Sequence, residues 1–580
     1  MLRNLFPNLF TITILMLLFT TSVTLANPAS ENSNLNVTSL DKALHIEDGF
    51  SAISTSWSPD GQYLLVTYSK SPSYLVKQYL LDTYSHTFGE INYGIEESET
   101  NGILEAKWVS TGKKIYFQVS KSRPNSGICY IICNPDGTNL RCIGTNSTDL
   151  SAVMTNVGNI GFQRNINWNS NSSRIVFEWQ KPGNASTGVY IANGDGTKAR
   201  KIFSAIDPQP IFYDSNKIFV HTDEGTVDLI NENGNVIQTF QPKNESEQYC
   251  AYSLSPDRKK ILMLSGLPGS FDLQTYISNI DGSNLKGRIS YYDGKDTEVL
   301  IKEYWQPNDS CLLVNNNGNL YIVEGATNNR RLLYEGNASK PQWFPNGEKI
   351  AFIENRNKLY SIDTDGTNLT FITNLGLTSS YFWDIFWDPL DKAKQFSISS
   401  SGSTIVFTSA LYPDTGKLIE KEPDSSKLQG IAAPLFIVNS DGSNLTQVTP
   451  RIKGRHDIFR EWSPDGTQLT IGSILFSSNS NWDSGESFVV KLNTKNSSFI
   501  WKNLPANEIY GSKELSTIDK NKTEEPNSAN TSQSLNVTQS LNTSQVTEHE
   551  ETSRQSPSFV FLQLLICIAG VWLTHKNWKT

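Results

Sequence analysis

The chain has 580 residues, with 49 Lys and Arg against 58 Asp and Glu and a pI of about 5.4. Because only 18% of the residues are charged and the net charge is −9, the chain lacks the basic surface that nucleic-acid binders need. The 27 Phe, 22 Tyr and 13 Trp beside 4 Met predict aromatic strands separated by turns. The six His are scattered along the chain without a close pair, which disfavours a zinc hydrolase.

Residues 1–26 have the pattern of a secretory signal peptide. Arg3 precedes an apolar run, and small residues up to Ala26 provide a cleavage context. An N-terminal membrane helix that is not cleaved is the alternative. Both interpretations place the bulk of the chain outside the cytoplasm.

A repeated sequence organises the body, residues 27–512. WSPDG at Trp57 returns at Trp462, and a close variant, WFPNG, lies at Trp343. Each copy precedes a run of β-branched and aromatic residues, and a second sequence, Asp-Gly-Ser or Asp-Gly-Thr, follows most copies. Pro presets φ and Gly accepts a positive φ, so both sequences predict tight turns between short strands. Six weaker copies begin at Trp108, Trp168, Phe212, Leu254, Trp305 and Ile398.

The spacing of the nine copies predicts a β-propeller. Successive copies lie 38 to 64 residues apart, and a propeller blade takes roughly 40 to 45 residues in four antiparallel strands. We therefore expect an all-β body in which residues 27–512 form one propeller of eight or nine blades. The Trp before each turn should pack between blades. Two smaller propellers are the alternative.

The copies at Trp57 and Trp462 resemble the repeat of TolB-type propellers, a WD40-like Pro-Asp repeat, over about residues 45–503. The resemblance implies the same propeller fold. TolB itself has an α/β domain before its propeller, whereas here the first copy begins about thirty residues after the predicted cleavage site, so the role of TolB is not implied. Prolyl-oligopeptidase-like peptidases share the repeat, but the sequence contains no G-x-S-x-G nucleophile elbow.

Cys133 and Cys142 flank a predicted hairpin turn, so a disulfide between them is sterically feasible in an oxidising compartment. Buried free thiols are the alternative. Cys129 lies on the same predicted strand face as Cys133 and competes for the same partner.

The Asp-Gly-Ser and Asp-Gly-Thr turns carry the type of ligand that calcium prefers. Each turn supplies one carboxylate, however, and calcium takes about six to eight oxygen ligands. We therefore expect no cofactor, and a calcium site would require several turns to converge.

One segment departs from the repeat and groups five aromatic side chains between the copies at Trp343 and Ile398. Such a group could stack on sugar rings or hold a partner, and we take Tyr381, Trp383 and Trp387 as candidate binding residues. The alternative is that the group belongs to the propeller core. The five residues are Tyr381, Phe382, Trp383, Phe386 and Trp387.

Residues 513–557 are rich in Ser, Thr, Asn, Gln and Glu and predict a disordered stalk. Residues 558–580 hold a short apolar run with a basic end, which predicts a C-terminal transmembrane anchor with the body outside. The order Pro557, Ser558, Phe559 also resembles the C-terminal sorting signals of archaeal surface proteins, although Ser558 replaces their glycine. That resemblance would imply processing of the anchor.

Fourteen Asn-X-Ser/Thr sequons make the chain a candidate glycoprotein if it is secreted. They are Asn36, Asn146, Asn171, Asn184, Asn244, Asn308, Asn337, Asn368, Asn444, Asn496, Asn521, Asn530, Asn536 and Asn542.

Together these features predict a cell-surface propeller that binds or scaffolds a surface protein or carbohydrate without catalysis. It would be attached to the membrane through its C-terminus and would not bind nucleic acid. The alternative is an extracellular propeller enzyme, a hydrolase or lyase, whose site is assembled at the channel mouth from several blades. Convergent carboxylates or histidines would favour the enzyme.

Overall fold

The computed structural model describes residues 35–503 in several stretches, all within one compact unit, Met1–Ile518. The predicted signal peptide, stalk and anchor lie outside these residues. In the described stretches no helix is long and apolar enough to cross a bilayer. The residues between 35 and 503 that are not described are 71–74, 92–102, 122–126, 146–147, 149–152, 154–159, 182–186, 269–272, 293–304, 308, 310, 317, 325–326, 328, 377–394, 413, 420–430, 477–481, 484–486 and 493–501.

The described strands follow one another in groups, here called modules 1 to 9. Strand β1 (Leu35–Ser39) and a short helix, α1 (Leu40–Ala43), precede module 1. Modules 1 to 4 each have four strands, which are β2 (Phe50–Trp57), β3 (Tyr63–Lys70), β4 (Leu75–Asp82), β5 (Thr87–Glu90); β6 (Ile103–Trp108), β7 (Ile115–Lys121), β8 (Gly127–Cys133), β9 (Arg141–Cys142); β10 (Phe162–Trp168), β11 (Arg174–Gln180), β12 (Gly188–Asn193), β13 (Arg200–Phe203); and β14 (Ile211–Phe212), β15 (Lys217–His221), β16 (Val227–Asn231), β17 (Val236–Phe240).

The remaining modules repeat this order. In module 6 an isolated bridge from Trp305 to Leu312 takes the place of the first strand. The strands of modules 5 to 8 are β18 (Gln248–Leu254), β19 (Lys260–Gly266), β20 (Leu273–Asn279), β21 (Lys286–Tyr292); β22 (Leu312–Asn316), β23 (Asn319–Val323), β24 (Arg330–Tyr334); β25 (Ala338–Trp343), β26 (Lys349–Glu354), β27 (Lys358–Asp363), β28 (Thr370–Asn374); and β29 (Phe396–Ile398), β30 (Thr404–Thr408), β31 (Leu435–Asn439), β32 (Thr446–Gln447). Module 9 and the end of the described chain contain β33 (Arg455–Trp462), β34 (Gln468–Phe476), β35 (Trp482–Asp483), β36 (Ser487–Leu492) and β37 (Lys502–Asn503).

Within each module the strands pair antiparallel in chain order. Modules 2 and 3 join into one eight-stranded sheet through a single parallel pair, Phe162 with Ile128. In module 9 the outer place is taken by β1, which pairs with β36 so that Leu35 lies opposite Leu492. Strand β37 adds a parallel strand outside β5. The two ends of the described chain thus pair with the last and the first module.

The second strand of a module is apolar on both faces, because each face packs against a different neighbour. In β3, Leu64 and Val66 belong to a cluster that reaches Val489 of module 9, whereas Tyr63 and Leu65 belong to a cluster shared with module 2. Side chains alternate between the two faces of a strand, so a continuous apolar run is needed for this packing. Among the described residues, nine clusters each join two consecutive modules, counting module 9 with module 1.

The tryptophan that ends the first strand packs between modules, as the repeat predicts. Trp108 of module 2 stacks on Tyr63 of module 1 with ring centroids 6.1 Å apart, and its Nε1 donates to the carbonyl of Ser56 at 3.0 Å. Trp305 of module 6 donates in the same way to Oγ of Ser253 in module 5, at 3.2 Å. In these two modules the indole therefore combines apolar contact with a hydrogen bond to the preceding module, whereas Nε1 of Trp57, Trp168 and Trp462 is buried without a hydrogen-bond partner.

The turns between first and second strands of neighbouring modules touch one another. A methyl group at Gly112 would lie 3.6 Å from Cδ of Pro59, and one at Gly61 would lie 3.5 Å from Cδ of Pro464. Gly61 and Gly112 have φ values of +72° and +71°, which disfavour any residue with a side chain. These contacts run from module 1 to module 2 and from module 9 to module 1.

The first strands of neighbouring modules also lie next to each other, as β2 does with both β6 and β33. Modules that pack side by side in chain order, with the last against the first, have the architecture of a β-propeller. The predicted all-β propeller fold, built of antiparallel four-stranded sheets, is confirmed.

Candidate functional site

The connections between strands lie on two opposite faces, because the strands of each module alternate in direction. The turn face holds the connections from first to second and from third to fourth strand, none longer than seven residues among the described strands. The loop face holds the connections from second to third strand and from one module to the next. It receives the longest connections, 143–161, 375–395 and 409–434.

On the turn face the polar side chains bond within their own module or to the turn of a neighbouring module, as Gln306 Nε2 does to the carbonyl of Gly347 at 2.7 Å. In module 2, Lys114 Nζ donates to Asn134 Oδ1 at 2.7 Å, and Asn134 Nδ2 donates to Thr138 Oγ1 at 2.8 Å. The amide and hydroxyl of Thr138 both donate to Asp136 Oδ1, at 3.0 and 2.7 Å. The same aspartate bonding recurs at Asp195, Asp281, Asp365 and Asp441.

The aspartate of each such turn, which is the carboxylate that a calcium site would need, accepts hydrogen bonds from its own turn. The hydroxyl two residues later lowers the pKa of Asp281, Asp365 and Asp441, because it donates to the ionised carboxylate. Each carboxylate therefore serves its own turn. Among the residues that the structure describes, no group of three His, Cys, Asp or Glu could hold a metal ion.

The aromatic residues predicted to bind, Tyr381, Trp383 and Trp387, fall in 377–394 and lie outside the described residues. The described chain enters their connection at Gly376, where a methyl group would lie 3.0 Å from the Leu418 side chain. Leu418 belongs to the 409–434 connection, so two of the longest loop-face connections meet at this point.

Five predicted glycosylation sites have described side chains, and all five are exposed. They are Asn171, Asn244, Asn337, Asn368 and Asn444. Asn36 lies in β1 and pairs with Lys491. The remaining eight sequons, at Asn146, Asn184, Asn308, Asn496, Asn521, Asn530, Asn536 and Asn542, lie outside the described residues.

A polar cluster that the repeat does not explain lies on the loop face where modules 3 and 4 meet. We call Arg164, Asn165, Glu178 and Asp207 the Glu178 cluster. Arg164 and Glu178 are register partners on β10 and β11, and Asn165 Nδ2 donates to Glu178 Oε2 at 3.1 Å. A bulge follows Arg164, and Asn165 has a φ of +49°, so the bulge directs the amide toward the carboxyl group.

Glu178 is only 2% exposed. Burial, helped by the carboxylate of Asp207, raises the pKa of Glu178 to about 7 against the opposing effects of Arg164 and the Asn165 bond. The cluster thus pairs a buried carboxyl group that is partly protonated near neutral pH with an exposed carboxylate. Such pairs can exchange protons with a ligand, and perturbed carboxyl groups are concentrated at functional sites.

Asp207 belongs to the connection between modules 3 and 4, which we call the 204–210 segment. Gln209 Nε2 donates to Asp207 Oδ2 at 3.3 Å, and the Ile206 amide donates to Asp223 Oδ1 at 2.7 Å. The His221 amide donates to the carbonyl of Pro208 at 2.7 Å. Module 4 therefore fixes the position of this segment beside Glu178.

The described cysteines are free thiols, which matches the alternative of buried thiols. Cys142 lies opposite Ile131, so Cys133 is its diagonal neighbour. Cys129, two residues before Ile131, is likewise diagonal to Cys142. Cys133 and Cys142 are both free in the structure, and a disulfide between them stays a prediction. Cys142 contacts Cys129, and their hydrogen bond raises the pKa of Cys129.

Sequence reasoning did not identify Arg164, Glu178, Asp207 or His221. One available signal was the composition of β11, in which Glu178 stands between Phe177 and Trp179 in an otherwise apolar strand. A charged residue in such a strand has to be buried with a partner. Arg164 and Asn165 lie on the neighbouring strand β10, and Asp207 lies in the connection to module 4, so the repeat pattern did not show that these side chains meet.

No family model matches the chain, and no curated protein matches it. Among solved structures, the chain is similar to the tricorn protease at 12% identity and a TM-score of 0.27, covering 76% of this chain but only 45% of that chain. It is similar to the Dos1 propeller at 9% identity and a TM-score of 0.37, covering 81% and 98%. It is also similar to a putative TolB from Agrobacterium tumefaciens at 12% identity and a TM-score of 0.27, covering 45% and 91%. At these values the similarities carry no argument about activity, substrate or partner.

Proposed function

We propose that this chain is a non-catalytic binding or scaffolding module that engages a protein or glycan partner through its loop face. The observation that carries the proposal is the contrast between the two faces. On the turn face the connections are short, and their polar groups bond within a module or to the neighbouring module. The long connections, including the one that contains Trp383 and Trp387, start and end on the loop face. Long connections on a rigid scaffold commonly carry binding residues.

The proposal includes a location and a blade number. Residues 1–26 would direct secretion, 513–557 would hold the body roughly 35 to 40 Å from the membrane on average, and 558–580 would anchor it. Nine hydrophobic clusters, each shared by two consecutive modules, support nine blades rather than eight.

We expect Trp383→Ala and Trp387→Ala to weaken partner binding at least tenfold without lowering the melting temperature. Loss of one stacked aromatic ring costs about 1.4 kcal/mol or more, which is a tenfold change in Kd. The measurement applies the detergent-solubilised full chain to a glycan array and to purified surface proteins, followed by titration of each ligand retained.

Tyr84→Ala is the matched control, because Tyr84 is an aromatic residue on the turn face with 57% exposure. It should bind as the unchanged chain does. A loss of binding in Tyr84→Ala alone would move the site to the turn face. Unfolding of both tryptophan variants would assign these rings to the core, and retention of neither glycans nor proteins would contradict the proposed function.

The Glu178 cluster favours a second candidate function, a hydrolase or lyase acting on a glycan. A carboxyl group with a pKa of about 7 could donate or accept a proton at neutral pH, and Asp207 supplies a second carboxyl group beside it.

We expect a polysaccharide panel to yield new reducing or unsaturated ends with the full chain. Glu178→Gln should reduce that yield at least 100-fold, and Glu224→Gln, an exposed glutamate of module 4, should not. Equal yields from both variants would contradict this function.

A further inference from the structure

His221, at the end of β15 on the loop face, lies between two backbone carbonyl groups. Its Nδ1 is 3.2 Å from the carbonyl oxygen of Asp207, and its Nε2 is 2.5 Å from that of Tyr249. Asp207 belongs to the 204–210 segment that leaves module 3, and Tyr249 belongs to β18 of module 5. One imidazole ring therefore bridges the connection from module 3, module 4 and module 5.

The chemistry of these contacts determines the charge of the ring. A carbonyl oxygen only accepts hydrogen bonds, and a neutral imidazole has one N–H donor and one lone pair. A neutral ring would therefore place a lone pair against one of the two carbonyl oxygens. Only the imidazolium form donates to both.

We propose that His221 is a pH-sensitive clamp, which in its protonated form holds the 204–210 segment of the loop face against β18. Histidine is the side chain that ordinarily changes charge between pH 5 and 8, so the clamp is able to open within that range. When the ring loses a proton, one of the two bonds is replaced by repulsion between lone pairs, and the segment is released on that side.

Titratable groups lie on each element packed against His221. Asp207 and Asp223 are the carboxylates of the segment and of the turn after β15, and Asp223 accepts from the Ile206 amide. From β18, the Tyr249 hydroxyl donates to the carbonyl of Gln241 at 3.1 Å. The Tyr252 hydroxyl has one proton and contacts two carbonyl oxygens, that of Phe219 at 2.9 Å and that of Gln209 in the segment, so it donates to one of them at a time.

The clamp would regulate the candidate site, and in this respect it rests on the proposed role of the loop face. The 204–210 segment carries Asp207 of the Glu178 cluster and the Ile206 side chain, which is 71% exposed. Release of the segment would shift both residues relative to Glu178. A ligand that contacts this cluster would consequently bind with different affinity above and below the pH at which His221 titrates.

Hydrogen exchange on the full chain tests the clamp without any ligand. The amides of Ile206 and His221 are bonded across the segment, so their protection reports its docking. After correction for the intrinsic exchange rate, we expect protection of both amides to fall at least tenfold between pH 6 and pH 8.5. The side-chain amide group of glutamine in His221→Gln can donate to only one of the two carbonyl groups. Protection of the Ile206 amide in this variant should therefore be low and independent of pH.

His45→Gln is the matched control, because His45 is an exposed histidine in the turn after α1. It should keep the pH dependence of the unchanged chain.

Selective ¹⁵N labelling of histidine provides a measurement that does not depend on a variant. Two protonated ring nitrogens are expected for His221 at every pH at which the Ile206 amide is protected. A neutral His221 ring while Ile206 remains protected, or protection that does not change with pH, would overturn the clamp. Because no ligand is present, neither result bears on whether the loop face binds a partner.

Discussion

Asp41→Ala should destabilise the chain by about 3 kcal/mol, because Asp41 ties the N-terminal helix to the first and last modules. Its Oδ1 accepts from the Tyr68 hydroxyl at 2.7 Å, and its Oδ2 accepts from the Ser487 amide at 3.3 Å. Its charge also acts on Arg460, whose pKa is lowered by burial and raised by the charges of Tyr68 and Asp41. Removal of Asp41 leaves a largely buried cation without its carboxylate, and such losses cost about 3 to 5 kcal/mol when the pair is fully buried.

Urea unfolding of the full chain measures this effect. Asp48→Ala is the control, because Asp48 is an exposed aspartate in the same N-terminal segment and should change stability by less than about 0.5 kcal/mol. In the double variant Asp41→Ala, Arg460→Met the buried cation is absent, so part of the loss should be recovered. Equal stabilities of Asp41→Ala and Asp48→Ala would show that this contact does not close the ring.

Glu178→Gln should raise the free energy of unfolding at pH 8 by up to about 3 kcal/mol and leave it unchanged near pH 4.5. The pKa of Glu178 is raised from 4.5 to about 7 by burial, so the folded chain retains a proton that the unfolded chain has released. Stability therefore falls as the pH rises from 4.5 to 7, by about 1.4 kcal/mol for each pKa unit. Glutamine avoids this cost and still accepts the bond from Asn165.

His456 has the opposite dependence. Burial lowers its pKa from 6.5 to about 4, so the unfolded chain binds a proton that the folded chain excludes. Its contribution rises with pH between 4 and 6.5, by about 3 kcal/mol. In the unchanged chain, between pH 4.5 and 6.5, the loss of stability from Glu178 as the pH rises cancels the gain from His456. In Glu178→Gln only the contribution of His456 remains, so the free energy of unfolding should fall steeply on acidification.

Urea midpoints at half-unit steps from pH 4.5 to 8 distinguish these outcomes, with Glu224→Gln as the exposed control. The control should follow the unchanged chain at every pH. A Glu178→Gln variant that is no more stable than the control at pH 8 would mean that folding does not raise the pKa of the Glu178 carboxyl group, and would also remove the support for a proton-transfer role.

The repeat predicted most of the fold because its information is local. A Pro-Asp-Gly turn, an apolar run and an Asp-Gly-Thr turn specify their own hairpins, and Trp57 and Trp343 mark strand ends that the structure places where expected. The hairpin disulfide shows the limit of this reasoning. Sequence spacing places Cys133 and Cys142 on adjacent strands, but the register that makes them diagonal is decided by the pairing of Ile131 with Cys142.

The acidic, aromatic and turn-rich composition by itself determined an all-β repetitive body, because strand alternation and tight turns depend on residues within a few positions of each other. Only the tertiary structure decided how the body closes, with β1 beside β36 and β37 beside β5. It also decided which side chains meet at the Glu178 cluster and around His221. Those contacts join neighbouring strands and, around His221, different modules, and their energies depend on burial and nearby charge, which no local pattern contains.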